Sequence, residues 1–168
     1  GQIHSPGNSP YAITVGASNS LGSASRSDDT MASFSSRGPT RSFYRTSTGY
    51  PVYDNLIKPD LVAPGNRLLS NKAPNNKMAL QNPLLNLDLL QNNDSMMYMS
   101  GTSMSAPVVA GAAALLLQVN PNLTPNMVRM LLQYTAQPIA GANTFEQGAG
   151  QLNLEGAVRL ARMLKTDV

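Results

Sequence analysis

The sequence has 168 residues, a net charge of only +3, and neither cysteine nor tryptophan. The absence of cysteine excludes disulfides, thiolate metal sites and a cysteine nucleophile. The basic residues are scattered along the chain, so no nucleic-acid partner is expected. The longest apolar run, 108–119, is too short to span a bilayer, so no membrane partner is expected either. The length suits one domain, and residues 1–168 are predicted to belong to it.

Short apolar segments between turn-forming residues predict strands in the first half of the chain. Residues 11–17 are β-branched and apolar on both faces, as in a buried parallel strand. Residues 31–35 and 58–65 predict two more strands, and residues 67–70 another after them. The segment 40–55 is irregular and predicts a long surface loop.

The second half of the chain predicts helices. Residues 71–97 have no clear period, although 78–80 and 84–90 favour short helical turns. The run 108–119 predicts a helix buried on nearly every side, with Pro107 in its first turn. Thr124 followed by Pro125 predicts a helix start, Asn153 predicts the cap of a last helix, and residues 140–150 predict a glycine-rich loop. Buried strands separated by helices predict an α/β domain with a parallel sheet.

Ser103 is placed by this pattern at or just before the start of the long helix. Free backbone N–H groups and the positive end of the helix dipole lie at such a position, where they stabilise an alkoxide or an oxyanion. The alternative interpretation is an N-cap serine on a core helix, which is the commoner role of a serine before a helix.

Four stretches, in this order, resemble the pattern of the subtilisin-like serine proteases (peptidase S8 family). They are SPGNSPYAITVGA (5–17), ASFSSRGP (32–39), KPDLVAPG (58–65) and GTSMSAPVVAGAAALLL (101–117). The closing GAGQLNLEGAV (148–158) resembles the final loop and helix of that family. The resemblance implies a parallel sheet sandwiched by helices, of which this chain is the C-terminal part. It also implies a serine endopeptidase that acts on peptides or proteins.

The resemblance assigns the chemistry to residues around the GTSM motif. Ser103 is the nucleophile, and its own backbone N–H is one donor of the oxyanion hole; subtilisin is itself a standard case of this mechanism. Gly101 lets the substrate backbone approach, and Thr102 can hydrogen-bond near the forming oxyanion. Met104 is expected on the leaving-group side, where it would be the first residue to oxidise.

Two further residues have alternative interpretations. Phe34 falls where the family often lines the leaving-group pocket, and its other interpretation is core packing. The resemblance places His4 at the wall of the pocket for the residue before the scissile bond, and its other interpretation is a solvent-facing loop residue. Asp60 is expected to have a structural role, tying a loop by hydrogen bonds.

The aspartate and histidine of the family's triad lie upstream of the serine, and their motifs do not occur in these 168 residues. The only histidine is His4, whose context differs from the family's histidine motif. The chain alone is therefore predicted to be inactive and to need a complementary N-terminal segment. A homodimer that covers the missing surface is a second expectation. The alternative function is a non-catalytic fragment or pseudo-protease that serves as an interaction or folding module.

No cofactor is expected for the chemistry, and no residue pattern indicates a metal centre. Asp28, Asp29 and Asp54 are predicted to lie in surface loops, and Asp88 and Asp94 in the segment without a clear pattern. The resemblance adds three expectations: a structural calcium near the strand ending in 15–17, a cis peptide bond before Pro6, and secretion to the extracellular space.

Overall fold

The computed structural model describes residues 1–87 and 96–165. Its strands are β1 (Val15–Asn19), β2 (Thr30–Met31), β3 (Phe43–Arg45), β4 (Pro51–Tyr53), β5 (Leu61–Pro64), β6 (Leu68–Asn71) and β7 (Met96–Met99). Its α-helices are α1 (Lys77–Gln81), α2 (Thr102–Val119), α3 (Pro125–Thr135), α4 (Thr144–Gln147) and α5 (Leu154–Met163). A 3₁₀ turn covers Pro83–Leu85. The α/β class predicted from the sequence is confirmed.

The central sheet has the order β2-β1-β5. β1 and β5 are parallel, as their apolar sequences predict, and Gly16 lies opposite Val62. The strand predicted over 11–17 begins only at Val15. β2 pairs antiparallel with β1 and ends at Met31. The prediction of a strand over 31–35 is therefore wrong beyond Met31, because the chain turns there. The Ser35 hydroxyl instead accepts the Ala17 N–H at 3.0 Å, so it occupies the place of a strand partner.

The other edge of β5 is held by the segment before α5. The Val62 N–H donates to the Gly150 carbonyl at 2.9 Å, and the Leu152 N–H donates to the Val62 carbonyl at 2.8 Å. Gly148 has a φ of +61°, and a Cβ there would lie 2.3 Å from the Pro59 carbonyl oxygen, so only glycine fits. The predicted glycine-rich loop is thus a tightly built connection, and it also contains α4.

The core lies where α2 crosses the sheet. α2 packs on β1 and β5, while α3 and α5 pack on α2 and on each other. The fully buried side chains of this layer include Leu116, Leu131 and Leu132. Thr124 caps α3 and Asn153 caps α5 with their side-chain oxygens, which confirms both predicted helix starts.

α2 differs from its prediction in two ways. Its buried residues lie on one face only (Ser105, Val109, Ala112, Leu116), while Val108, Leu115 and Leu117 are exposed. The prediction that α2 is buried on nearly every side is therefore wrong for this chain by itself. No described element covers the face that carries Val108, Leu115 and Leu117. Pro107 lies inside the helix rather than in its first turn, since α2 already begins at Thr102. By length and composition alone α2 is also apolar enough to cross a bilayer, as soluble core helices can be.

Two small sheets lie outside the central one. The predicted surface loop at 40–55 contains the β3–β4 hairpin, whose strands carry exposed aromatic residues that gave no clear alternation. β6 was expected from its sequence, and it pairs antiparallel with β7, which was not. The helical turn predicted at 78–80 is confirmed within α1. The turn predicted at 84–90 lies only partly within the described residues, where the 3₁₀ turn occurs. The cis bond expected before Pro6 is present.

Asp60 joins the N-terminal loop, β5 and α3. Its carboxylate accepts the Lys58 Nζ at 2.6 Å and the Thr14 N–H at 2.7 Å, and it is also paired with Arg129. Lys58 and Asp60 are each about 1% exposed, and Lys58 donates a second bond to the Ala12 carbonyl. The structural role predicted for Asp60 is confirmed.

The substitution Asp60→Asn is expected to lower the free energy of unfolding by about 3 kcal/mol, because it leaves the buried Lys58 ammonium without its counter-charge. Chemical denaturation measures this. Glu155→Gln is the matched control, since Glu155 forms an exposed pair with Arg159 at 2.5 Å, and it should cost less than about 1 kcal/mol. Equal losses in the two variants would contradict the role of Asp60.

Candidate active site

The candidate nucleophile stands on the first turn of α2. β7 runs into Ser100 and Gly101, and Ser103 follows as the second residue of the helix. The Gly101 N–H donates to the Gly65 carbonyl at 2.8 Å, and the Met104 N–H donates to the Gly101 carbonyl at 3.0 Å. The helix start is therefore tied by its backbone to the loop that follows β5.

The contact between this loop and α2 leaves no room for a side chain. A Cβ on Gly65 would lie 2.1 Å from the Ser105 hydroxyl, 2.8 Å from the Ala17 Cβ and 3.0 Å from the Gly101 carbonyl oxygen. Ser105 itself is fully buried. The glycine in the VAPG motif and the small residue two positions after Ser103 therefore serve one purpose, the close approach of α2 to the sheet.

The local geometry of Ser103 suits a charged intermediate. An N–H in the first turn of an α-helix has no partner within the helix, and the helix dipole is positive there. The helix cap residue is Gly101, without a side-chain cap bond, so the interpretation of Ser103 as the N-cap is wrong. Ser103 is exposed, and no side chain in the described ranges hydrogen-bonds its hydroxyl.

Two cavities lie at the start of α2, one lined by Ser103 and the other by its neighbour Thr102. One, of about 460 Å³, is lined by Ser103, Met104 and mainly apolar residues of β6, β7 and α2 (Leu68, Leu69, Ser70, Asn71, Met97, Met99, Pro107, Val108). The other, of about 170 Å³, is lined by Thr102, His4 and mainly uncharged residues of the N-terminal loop and β1. A peptide bound at Ser103 would therefore lie beside the mainly apolar cavity that Ser103 itself lines.

The remaining predicted site residues are placed differently. His4 is exposed and lines the smaller cavity together with Thr102, but it makes no hydrogen bond to Ser103. Phe34 is 46% exposed and lines neither cavity. Core packing, the alternative interpretation of Phe34, is therefore wrong, and its role at the leaving-group side stays a prediction.

The acidic residues form no metal centre among the parts of the chain that the structure describes. Asp28 and Asp54 are exposed, but Asp29 is only 8% exposed, so its prediction as a surface residue is wrong. Its carboxylate accepts the Gln151 amide at 2.5 Å, which ties the connection after β1 to the segment before α5. Asp88 and Asp94 lie outside the described residues. The expected structural calcium stays a prediction.

Sequence reasoning missed the residues that shape the larger cavity. Met97 and Met99 lie on β7, within a segment that had no readable period. Alternating polar and apolar residues would have revealed such a strand, but MMYM is apolar at every position. The pairing of β7 with β6, which places both strands beside Ser103, is a long-range contact that no local pattern shows.

The comparison with protein families agrees with this geometry. The model of the subtilase family (peptidase S8) matches residues 1–157. The chain therefore belongs to the subtilase family.

Individual relatives show the same likeness. The chain is 41% identical over 160 residues to the serine protease AprX of Bacillus subtilis, covering 93% of the chain and 31% of AprX. It is 31% identical over 160 residues to the subtilisin-like protease SBT6.1 of Arabidopsis thaliana, covering 92% of the chain and 12% of that protein. The chain thus spans less than a third of the length of either relative.

Solved structures give the same fold. The keratinolytic enzyme fervidolysin of Fervidobacterium pennivorans superposes with a TM-score of 0.64 at 29% identity, covering 92% of this chain and 20% of fervidolysin. The CspB protease of Clostridium perfringens superposes with a TM-score of 0.68 at 26% identity, covering 98% of this chain and 30% of that protein. The predicted subtilisin-like fold is confirmed.

Gly65→Ala is expected to lower stability by about 2 kcal/mol and to displace the start of α2, because its Cβ would overlap the Ser105 hydroxyl. Gly111→Ala is the matched control, since a Cβ there meets nothing within 4 Å and alanine favours a helix. Thermal unfolding of the two variants checks this. A Gly65→Ala protein as stable as the Gly111→Ala protein would be evidence against the close contact.

Proposed function

We propose that this chain supplies the nucleophile-bearing part of a serine endopeptidase that cleaves peptides or proteins. The observation that carries the proposal is the position of Ser103, exposed in the first turn of an 18-residue helix, where it lines a mainly apolar cavity. Membership of the subtilase family supports the same function.

In the proposed reaction the Ser103 Oγ attacks the carbonyl carbon of the scissile bond while a base takes its proton. The carbonyl oxygen becomes an oxyanion, which the backbone N–H of Ser103 stabilises at the positive end of α2. Collapse of this intermediate releases the amine, which receives the proton, and leaves an acyl group on Ser103. Water then hydrolyses the acyl group and regenerates the serine. No cofactor is required for these steps.

The proposed base comes from outside these 168 residues, because His4 is the only histidine and no side chain in the described parts of the chain hydrogen-bonds the Ser103 hydroxyl. A complementary segment that carries the aspartate and histidine of the family's triad is the proposed source. The exposed apolar face of α2, with Val108, Leu115 and Leu117, supports such a partner, because that much apolar surface favours being covered. A homodimer over the same face, and a non-catalytic interaction module, are the competing outcomes.

Family resemblance supports two accompanying proposals. The protein would act in the extracellular space, and a structural calcium ion would bind near β1. Neither is needed for the chemistry at Ser103. The expectation of no nucleic-acid partner and no membrane partner rests on composition alone.

A fluorophosphonate probe tests the function, because it forms a bond only with activated serines. The 168 residues alone should label at least about 1000-fold more slowly than the same residues assembled with the base-bearing segment. In the assembled protein the label should map to Ser103 and disappear in Ser103→Ala. Rapid labelling of the residues alone would contradict the need for an outside base. A folded assembly that does not label would favour the non-catalytic module.

His4 is proposed to select the substrate residue before the scissile bond. It carries the only ionisable side chain lining the smaller cavity, whose other side chains include Gln2, Thr14 and Ser36. Two substrates that differ only in the residue before the scissile bond, glutamine or leucine, test this role. His4→Leu should lower kcat/KM for the glutamine substrate about tenfold relative to the leucine substrate, because the glutamine side chain loses the His4 imidazole as a hydrogen-bond partner.

The matched control is His4→Gln, which retains a hydrogen-bonding side chain and should keep most of the preference. Steady-state kinetics on the pair of substrates, in the assembled protein, gives the ratio directly. An unchanged ratio in His4→Leu would mean that His4 is a solvent-facing loop residue.

A further inference from the structure

A chain of side-chain hydrogen bonds leads from the end of β1 to the residue that enters the GTSM motif. The Asn66 Nδ2 donates to the Asn19 Oδ1 at 3.0 Å, and the Ser100 Oγ donates to the Asn66 Oδ1 at 2.9 Å. The Arg67 N–H donates in turn to the Ser100 Oγ at 2.9 Å. Ser100 therefore both donates and accepts within the loop that follows β5.

Backbone bonds run beside this chain in the same direction. The Gly65 N–H donates to the Ser18 carbonyl at 3.0 Å, and the Gly101 N–H donates to the Gly65 carbonyl at 2.8 Å. The loop after β5 thus holds the backbone at Gly101 and the side chain at Ser100. Two adjacent anchors fix the direction of the chain, whereas one anchor would leave it free to pivot.

Arg67, which follows Asn66, has an unusual backbone conformation that contacts to Ser100 and Tyr98 hold in place. Arg67 has a φ of +52°, a left-handed conformation that is unfavourable for a residue with a Cβ. Its N–H is held by Ser100, and its guanidinium lies 5.3 Å from the centre of the Tyr98 ring on β7. Arg67 thus keeps an unfavourable backbone conformation near the candidate nucleophile, and its contacts to Ser100 and Tyr98 hold it there.

Stability alone does not account for the Ser100 bonds. Ser100 is exposed, and hydrogen bonds open to water contribute little to the free energy of folding. An effect on the direction of the chain would matter more, since small displacements of a reacting group cost large factors in rate.

We propose that Ser100 and Asn66 are positioning residues for the nucleophile. Their hydrogen bond sets the path of the chain at Gly101 and thereby the placement of the Ser103 Oγ and N–H. Neither residue contacts the reacting atoms in this role. The inference rests on the proposed function of Ser103. It adds that hydrogen bonds that lead from Asn19, at the end of β1, help to hold the chain in front of Ser103.

The test compares Ser100→Ala, Asn66→Ala and the double variant in the assembled protein. Each single change should lower kcat, and the rate of labelling by a fluorophosphonate, about tenfold with KM nearly unchanged. The double variant should lose no more than either single variant, because the two residues act as one unit. Ser100→Thr, which retains the hydroxyl, should restore most of the rate.

Thr46→Ala is the matched control, since the Thr46 hydroxyl pairs with that of Thr48 at 2.9 Å in an exposed hairpin. It should leave kcat and the melting temperature unchanged. A kcat in Ser100→Ala equal to that of the control, or a loss that follows only a lower melting temperature, would overturn the positioning role.

Hydrogen exchange at the Gly101 amide separates this inference from the proposed function. Ser100→Ala should speed that exchange about tenfold while the amides of β1 are unaffected, whether or not Ser103 labels. Failure of the unsubstituted assembly to label would refute the proposed function alone. Unchanged exchange at Gly101 would refute the positioning role alone.

Discussion

The close approach of α2 to the loop after β5 is the contact on which the site depends. Gly65 has no side chain, so Ser105 and the Gly101 carbonyl can lie against it, and the Gly101 N–H can reach the Gly65 carbonyl. Any larger residue would separate the helix from the sheet by a bond length or more. Because Ser103 stands on the turn that this contact fixes, its place relative to β1 and β5 follows from packing rather than from its own hydrogen bonds.

A second constraint supports the first from the other end of β5. Asp60 neutralises the buried Lys58 and binds Arg129 of α3, so it holds the start of the strand while Gly65 holds its end. A buried ion pair contributes little net stability, but losing one partner costs several kcal/mol. The loss of either partner would therefore destabilise the start of β5. The motif KPDLVAPG contains both constraints within eight residues, which explains why it identifies the site together with GTSM.

Local patterns predicted the elements whose residues interact with near neighbours in sequence. Thr124 and Asn153 cap their own helices, and the apolar runs of β1 and β5 predict buried parallel strands. The predictions that failed concern contacts between residues that are far apart in the sequence. The β7 strand and the larger cavity require pairing with β6, and the one-sided burial of α2 depends on which other elements are present. Ser103 itself was found by family resemblance, since a serine near a helix start is common.

A crystal structure of the assembled protein with a peptide boronic acid tests most directly whether Ser103 forms the covalent bond in catalysis once a base is supplied. If it does, the electron density should be continuous between boron and the Ser103 Oγ, with a boronate oxygen accepting the Ser103 N–H. The side chain next to boron should lie in the cavity lined by His4 and Thr102. Boron bound to another residue, or a peptide seated away from Ser103, would mean that Ser103 is not the nucleophile.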